Sequence, residues 1–173
     1  MMRGTNRKVM RMQKEKKGNK TIAVNRKAHH DYFVEDTYEA GIALFGTEVK
    51  SVRLGQVNLK DSYCRVKNGE LFAVGVHISP YEKGNIFNRD PMRDKKLLMH
   101  KKEILKLGQY VTRDSYTLVP LSLYFSGSNV KMEVGLCKGK KLWDKREADA
   151  KADAGREIER VTKSRGKADR YDD

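Results

Sequence analysis

Cysteine, proline and tryptophan are scarce in this chain of 173 residues, which has two cysteines, three prolines and one tryptophan. Cys64 and Cys137 show no Cys-x-x-Cys pattern, and no apolar leader segment opens the chain. Both features favour a protein of the reducing cytoplasm over a disulfide-stapled secreted one. The sequence also lacks a run of about eighteen apolar residues, so it predicts no membrane-spanning segment.

Acidic residues are outnumbered, with 23 Asp and Glu against 37 Lys and Arg and a net charge of +14. Residues 1–20 carry 8 cations and 1 acid, residues 21–137 carry 17 and 13, and residues 138–173 carry 12 and 9. The first segment has almost no apolar content beyond methionine, which predicts a disordered basic arm. It lacks the aromatic or leucine face of a membrane-surface helix, so that alternative ranks low. The charge indicates an anionic partner.

Residues 21–137 form the one segment with enough apolar content for a core. A strand is predicted over 32–45, bent by a bulge at Gly41, and a short helix follows that Thr47 caps and Gly55 ends. Two hairpins are expected: 62–67 with 70–78, turning at Asn68-Gly69, and 116–126 with 130–136, turning at 127–129. Between them a helix is predicted from Asp90-Pro91 to Gly108, because leucine and isoleucine recur seven apart.

Five or six strands with two accessory helices predict a mainly β fold. A closed barrel of the oligonucleotide-binding type is favoured because closure removes exposed sheet edges, and an open α+β sheet is the alternative.

The segment 135–147 joins the end of the last predicted strand to a dense basic cluster that contains the only tryptophan. Its cations attract phosphates, and the ring of Trp143 offers a surface on which a base can stack. The competing interpretation is a solvated basic surface. The glycine spacing does not match a phosphate-binding P-loop, and no nucleophile–base pair or carboxylate cluster is evident, so an enzyme is disfavoured.

Residues 138–173 form a tail in which an apolar stripe follows helical spacing, at Trp143, Ala150, Ala154, Ile158 and Val161. The stripe is mostly alanine, and Gly155 interrupts it. Such a helix is marginal in isolation. We therefore expect the tail to be disordered alone and to become helical against a partner.

Five sequence blocks, in order along residues 21–147, resemble the SsrA-binding protein (SmpB) family, the partners of bacterial transfer-messenger RNA (tmRNA). The blocks are Asn25-Arg-Lys-Ala-His-His-Asp-Tyr32, Gly46-Thr-Glu-Val-Lys-Ser-Val-Arg53, Asp61-Ser-Tyr63, Asp90-Pro-Met-Arg-Asp-Lys-Lys-Leu-Leu98 and Gly135-Leu-Cys-Lys-Gly-Lys-Lys-Leu-Trp-Asp-Lys-Arg146. The resemblance implies an oligonucleotide-binding barrel without catalytic activity or cofactor. It implies a monomer that binds the tRNA-like domain of tmRNA and delivers it to stalled ribosomes for trans-translation.

The resemblance assigns Glu39, Leu98 and Lys131 to the contact surface for the RNA. Further candidates precede the first long strand, where we expect them to grip the elbow of the RNA: Asn25, Arg26, Lys27 and His30. Lys50 and Arg53, three apart on one face of the short helix, complete the predicted RNA-binding set. The apolar pattern alone favours Leu98 as a core residue, whereas the resemblance favours it at the RNA surface. The run His29-His30-Asp31 suggests a metal site only superficially, because neighbours on a strand point to opposite faces.

For the tail, the resemblance implies contact with the decoding centre and the empty mRNA channel of the ribosome. The residues concerned are Lys138, Lys140, Lys141, Trp143, Asp144, Lys145 and Arg146. Trp143 stands where the family often has histidine, and Ala148–Ala154 is less basic than expected. A general ribosomal or RNA-chaperone protein would share the charge but would bind many RNAs weakly.

Overall fold

The computed structural model describes residues 19–168. Nine strands lie within this range: β1 (Asn19–Val24), β2 (Tyr32–Ile42), β3 (Val57–Asn58), β4 (Tyr63–Lys67), β5 (Glu70–Val74), β6 (His77–Ile78), β7 (Lys95–Leu98), β8 (Thr117–Ser126) and β9 (Asn129–Gly139). The α-helices in the same range are α1 (Arg26–Asp31), α2 (Gly46–Arg53), α3 (Lys101–Arg113) and α4 (Leu142–Ala168), and Asn85–Phe87 forms a 3-10 turn. The chain divides into two compact units between Gly139 and Lys140.

The first unit is mainly β sheet with a few helices, as the sequence predicted. Seven antiparallel strands follow the hydrogen-bonded order β1-β8-β4-β5-β7-β2-β9, and β8 also pairs with β9. Strands β3 and β6 form a separate two-stranded sheet. Of the predicted basic arm, residues 1–18 lie outside the described residues, whereas Asn19 and Lys20 begin β1, a strand that the sequence analysis did not predict.

The core is apolar and contains residues from most of the strands. Its members include Ala40, Leu71, Leu97, Leu107, Leu118, Leu123, Met132 and Val134. A second apolar cluster forms where α1 packs against β8 and β9, and it contains Ala28, Val119, Leu121 and Cys137. Gly135 permits this packing, because a Cβ there would lie 2.8 Å from a methyl carbon of Leu121.

Both predicted hairpins are present. Asn68 and Gly69 connect β4 to β5 with φ angles of 52° and 73°, the left-handed pair that a two-residue turn requires. Gly127, with a φ of 60°, begins the turn between β8 and β9; β8 ends at Ser126 as predicted, whereas β9 extends beyond the predicted limits to Gly139. The strand predicted over 70–78 is interrupted, because β5 ends at Val74 and residues 77–78 form β6, which pairs with β3. Turn chemistry therefore located the two hairpins correctly.

The predicted bulge in β2 is at the wrong residue. The register of β2 against β9 shifts between Val34 and Asp36, and the strand ends at Ile42 rather than at residue 45. Gly41 remains regularly paired, and a Cβ on it would lie 3.3 Å from the Cβ of Leu98. This glycine therefore gives room to a neighbouring side chain instead of bending the strand.

The predicted helix over residues 90–108 is also wrong at both ends. Residues 95–98 form β7, in which Lys95 and Leu97 are buried and alternate with exposed neighbours. The helix α3 begins at Lys101 and continues through Gly108 to Arg113, with Gly108 close to Val66. The seven-residue spacing of apolar residues, which predicted one helix, spans a strand and a helix. Over so few positions, the apolar pattern of a strand with a period of two can match that of a helix with a period of 3.6.

Local capping also differs from the prediction. The backbone N–H of Phe45 donates to the Glu48 carboxylate at 2.8 Å, whereas the Thr47 hydroxyl donates to the Phe87 carbonyl. Gly55 follows the helix with a φ of 73°, as predicted. The segment His29-His30-Asp31 lies in helix α1, so the argument that placed it on a strand was wrong.

Candidate nucleic-acid interface

Strand register places four residues in one row across the outer surface of the sheet. Leu98 of β7 pairs with Gly41 of β2, Gly41 pairs with Lys131 of β9, and Lys131 pairs with Tyr124 of β8. Their chain neighbours Leu97, Ala40, Met132 and Leu123 are buried on the opposite side. Because successive strand residues point to opposite faces, the four residues share the outer surface. We call this set, with Glu39, the outer row.

Glu39 is tied to the outer row by two contacts. The Lys131 ammonium lies 2.5 Å from Oε1 of Glu39, and the Tyr124 hydroxyl donates a hydrogen bond to Oε2. Burial, followed by the hydrogen bond to Glu39, raises the pKa of the Tyr124 hydroxyl, so Tyr124 remains a donor at neutral pH. The carboxylate is therefore held in one position on an exposed face.

A second carboxylate lies next to Glu39. Glu133 pairs with Glu39 across β2 and β9, and the Ser122 hydroxyl donates to Glu133 at 2.9 Å. The outer surface thus combines fixed acceptors with the Lys131 ammonium and the exposed side chain of Leu98, which is 55% accessible. Carboxylates can accept from base amino groups or 2′-hydroxyls, while an ammonium binds phosphate.

The segment before β2 forms helix α1 on the outside of β8 and β9. The Asn25 side chain is 4% exposed, accepts from the Ala28 N–H at 3.1 Å and donates to the carbonyls of Leu59 and Pro120 at 3.0 Å. Asn25 therefore caps α1 and fixes its position. The segment was predicted to contact RNA, and this residue is a buried anchor within it.

The cationic residues of α1 are exposed or partly exposed. Arg26 and Lys27 point to solvent, and the Lys27 ammonium pairs with Asp61, which raises the pKa of Lys27. Nδ1 of His30 lies 2.8 Å from the Asp31 carboxylate. Asp31 and Asp61 thus reduce the net positive charge of α1.

Two further predicted contacts project from α2. The Lys50 ammonium lies 5.2 Å from the centre of the Tyr81 ring, within the range of a cation–π contact. Arg53 lines a surface depression with Lys20 and Phe125, next to the turn at Gly127 and Ser128. The structure therefore distributes the predicted RNA residues over the outer row, α1 and α2.

Of the predicted tail residues, Lys138 lies in β9, and the others belong to the second unit. The Lys138 ammonium lies 5.1 Å from the Tyr116 ring centre. In the second unit, the backbone N–H of Lys141 donates to the Asp144 carboxylate at 3.1 Å, which caps α4. Lys140, Lys145 and Arg146 flank Trp143, whose side chain is 62% exposed.

Helix α4 is stabilised locally by ion pairs along its surface. Glu147 and Lys151 lie 2.7 Å apart, and their contact lowers the pKa of Glu147 and raises that of Lys151. Asp153 and Arg156 pair at 2.5 Å. Such exposed pairs contribute little to stability, because water and salt screen them.

Sequence reasoning missed four members of this surface: Gly41, Tyr124, Ser122 and Glu133. Once the turn at 127–128 was known, counting back along both strands from the turn could have placed Tyr124 opposite Lys131. Gly41 was noticed for a different reason, and nothing local indicates its pairing with Leu98. Within the described residues no group of three or more His, Cys, Asp or Glu is arranged for a metal ion, and no helix there could cross a membrane.

The mainly β architecture and the outer row are typical of one class of protein, the small basic proteins that bind nucleic acids. Residues 22–164 match the family model described as SmpB protein, so the chain belongs to the SmpB family. The chain is 64% identical over 144 residues to the SsrA-binding protein of Caldicellulosiruptor saccharolyticus, covering 83% of this chain and 91% of that protein. The corresponding protein of Acetivibrio thermocellus is 62% identical over 152 residues, covering 88% and 97%.

A solved structure also resembles this chain. It is described as "tmRNA-SmpB: a journey to the center of the bacterial ribosome" and is 48% identical, with a TM-score of 0.61. The match covers 73% of this chain and 92% of the solved one. Family membership predicted from the five blocks is thereby confirmed.

Proposed function

We propose that this protein is an RNA-binding adaptor that binds the tRNA-like domain of tmRNA and accompanies it to stalled ribosomes for trans-translation. Relatives named SsrA-binding protein support the RNA partner, and the solved tmRNA-SmpB structure on the ribosome supports the place of action. The observation that carries the proposal is the outer row, because three family contact positions, Glu39, Leu98 and Lys131, meet on one exposed face. Action on the ribosome places the protein in the bacterial cytoplasm.

The proposal includes a closed barrel of the oligonucleotide-binding type. Pairing of β8 with both β4 and β9 supports closure, since the order β8-β4-β5-β7-β2-β9 then returns to its first strand. Closure would protect the edges of these strands and hold the outer row rigid. The adaptor would act by binding, without catalysis, a cofactor or a metal.

In this proposal α1 is a second contact with the same RNA. Asn25 acts through its buried hydrogen bonds, which hold Arg26 and Lys27 toward solvent. Arg26, Lys27 and His30 supply cations for phosphates, whereas Glu39 supplies an acceptor that selects for base or sugar groups. Lys50 and Arg53 extend the basic surface along α2.

The tail acts at a later step. We expect α4 to be disordered in the free protein and to form when the tail enters the empty mRNA channel, because its exposed surface gives it few stabilising contacts of its own. Trp143 would stack on a base of the decoding centre, flanked by Lys138, Lys140, Lys141, Asp144, Lys145 and Arg146. Formation of the helix would then signal that the channel is free of mRNA.

Purification of the full chain from its host by an affinity tag, followed by sequencing of the bound RNA, tests the proposal. One dominant RNA with a tRNA-like domain is the expected result. A broad profile of ribosomal and messenger RNAs would instead indicate a general RNA chaperone and would contradict the adaptor.

A further inference from the structure

One part of the first unit exposes large apolar side chains to an unusual degree. Ile86 is 89% exposed and Phe87 is 72% exposed, both in the 3-10 turn of the loop 79–94, and Phe45 before α2 is 45% exposed. Exposed apolar groups that cluster commonly mark an interaction site. We call Phe45, Lys50, Ile86, Phe87 and Arg89 the Phe87 patch.

The loop that carries Ile86 and Phe87 is held in one conformation. Oδ1 of Asn88 accepts from the Tyr81 N–H at 3.0 Å, and its Nδ2 donates to the Tyr81 carbonyl at 2.9 Å. The Thr47 hydroxyl donates to the Phe87 carbonyl at 3.2 Å, which ties the turn to α2. Asn85 has a φ of 42°, a left-handed conformation that is retained when surrounding contacts enforce it. The apolar side chains are thus presented to solvent by a preorganised loop.

Cations surround the patch. The guanidinium carbon of Arg89 lies 4.5 Å from the Phe45 ring centre, and that of Arg93 lies 4.7 Å from it. An arginine stacked on an aromatic ring keeps its donors and can pair with phosphate. The Phe87 patch therefore combines rings with cationic groups.

Three acids near the patch already have partners. Glu48 binds Arg93 and the Phe45 N–H, Asp94 pairs with Arg65 at 2.6 Å, and Asp90 accepts from the Met92 N–H. Among residues 19–168, neither Arg89 nor Lys50 forms an ion pair with a carboxylate, and each is placed against a ring. Their charge is left for an external anion.

The patch is close to the outer row along the chain. Phe45 follows Gly41 by four residues, so their Cα atoms are at most about 14 Å apart. The Ala43 N–H donates to the Lys96 carbonyl at 2.9 Å, which keeps this connection beside β7. One structured RNA molecule on the outer row would extend far enough to cover the patch.

We propose that the Phe87 patch is a further RNA contact beside the outer row and α1, at which an unpaired base of the same RNA stacks on Phe87 while Arg89 and Lys50 bind flanking phosphates. The inference rests on the proposed function for the identity of the RNA. Rings interleaved with unpaired cations favour RNA over a protein partner, because base stacking uses the ring face and the phosphates use the charge.

Filter binding of the full chain to tmRNA, at several salt concentrations, tests the inference. Phe87→Leu keeps an apolar group but removes the ring, and it is expected to weaken binding about 5- to 100-fold, the range for one stacked base. Phe87→Tyr should bind within about twofold of wild type, and Arg89→Gln should lower the salt slope by about one. Leu105→Ala, at a leucine of α3 that is 51% exposed, is the matched control and should bind as wild type does.

A second probe, an unstructured oligouridine, separates this inference from the proposed function. If wild type shows no preference for tmRNA but Phe87→Leu still weakens oligouridine binding, the adaptor function fails and the stacking site stands. If Phe87→Leu binds both RNAs as wild type does, the stacking site is overturned. Unchanged RNA binding with reduced tagging on ribosomes would also overturn it and would assign the patch to a ribosomal partner. Melting temperatures of the variants should match wild type, because Phe87 is mostly exposed.

Discussion

The outer row and helix α4 both carry exposed charged residues, yet they are held in place by different means. Each member of the outer row is fixed by strand pairing over a buried neighbour, and Glu39 is further held by Lys131 and Tyr124. Helix α4 relies on exposed ion pairs and its own backbone, with Leu142, Trp143 and Ile158 all more than 60% exposed. The contrast supports the proposed division of labour, in which a preformed surface binds RNA and a conditional helix responds to the ribosome.

Removal of the tail should produce the largest effect and separate the two regions. A chain that ends at Gly139 retains β9 and the outer row, so its affinity for the tRNA-like domain should stay within a few-fold of wild type. Peptide tagging on stalled ribosomes, measured in vitro, should be abolished. A truncated protein that tags at the normal rate would remove the tail from the mechanism.

The rigidity of the sheet region can be tested at Lys95, which is buried in β7 and donates to the carbonyls of Val76, Pro91 and Arg93 at 2.6, 2.9 and 3.0 Å. Lys95→Met leaves these carbonyls without a donor. The free energy of unfolding, measured with urea at pH 7, should fall by about 1–3 kcal/mol. Lys67→Met, on an exposed lysine of β4, is the control and should change it little.

The free energies of unfolding of wild type and Lys95→Met should also depend differently on pH. Burial lowers the pKa of Lys95 from 10.5 to about 8, so between these values the unfolded chain binds the proton and the folded chain does not. Stability from this group therefore rises with pH across that window. The difference between wild type and Lys95→Met should grow from pH 7 to pH 9.5, and a difference that shrinks would contradict the assignment.

The smallest expected effect is on α4. A Cβ at Gly155 would meet nothing within 4 Å, so Gly155→Ala should stabilise the helix by about 1 kcal/mol through propensity alone. Amide hydrogen exchange of the full chain should slow in α4 and remain unchanged in β9. If the amide hydrogens of α4 were fully protected from exchange in the free wild-type protein, the helix would not depend on a partner.

Features with local chemistry were predictable from the sequence. Asn68-Gly69 indicated a hairpin because few residue pairs adopt two consecutive left-handed conformations. Gly55 indicated the end of α2 because glycine adopts the left-handed conformation that commonly follows a helix. Helix α1 was missed because six residues show too little periodicity. The position of its cap, Asn25, is fixed by hydrogen bonds to carbonyls 34 and 95 residues away, which no local pattern reveals.

The outer row shows where local patterns are insufficient. The apolar pattern favoured Leu98 for the core, but the pairing of β7 with β2 and β5 buries Leu97 and exposes Leu98. A shift of one residue in a strand reverses every side chain, and this register is set by partners distant in sequence. Family resemblance placed Leu98 correctly at the surface because it carried that long-range information.

The central claim is that Glu39 and Lys131 contact RNA directly rather than only stabilise each other. Affinity for the tRNA-like domain, measured for Glu39→Lys, Lys131→Glu and the double charge swap, tests it most directly. Direct contact predicts that Glu39→Lys binds at least about tenfold more weakly, with little change in unfolding, and that the double swap remains weak although its ion pair is restored. Wild-type affinity in the double swap would contradict the account, because the pair would then serve the sheet and not the RNA.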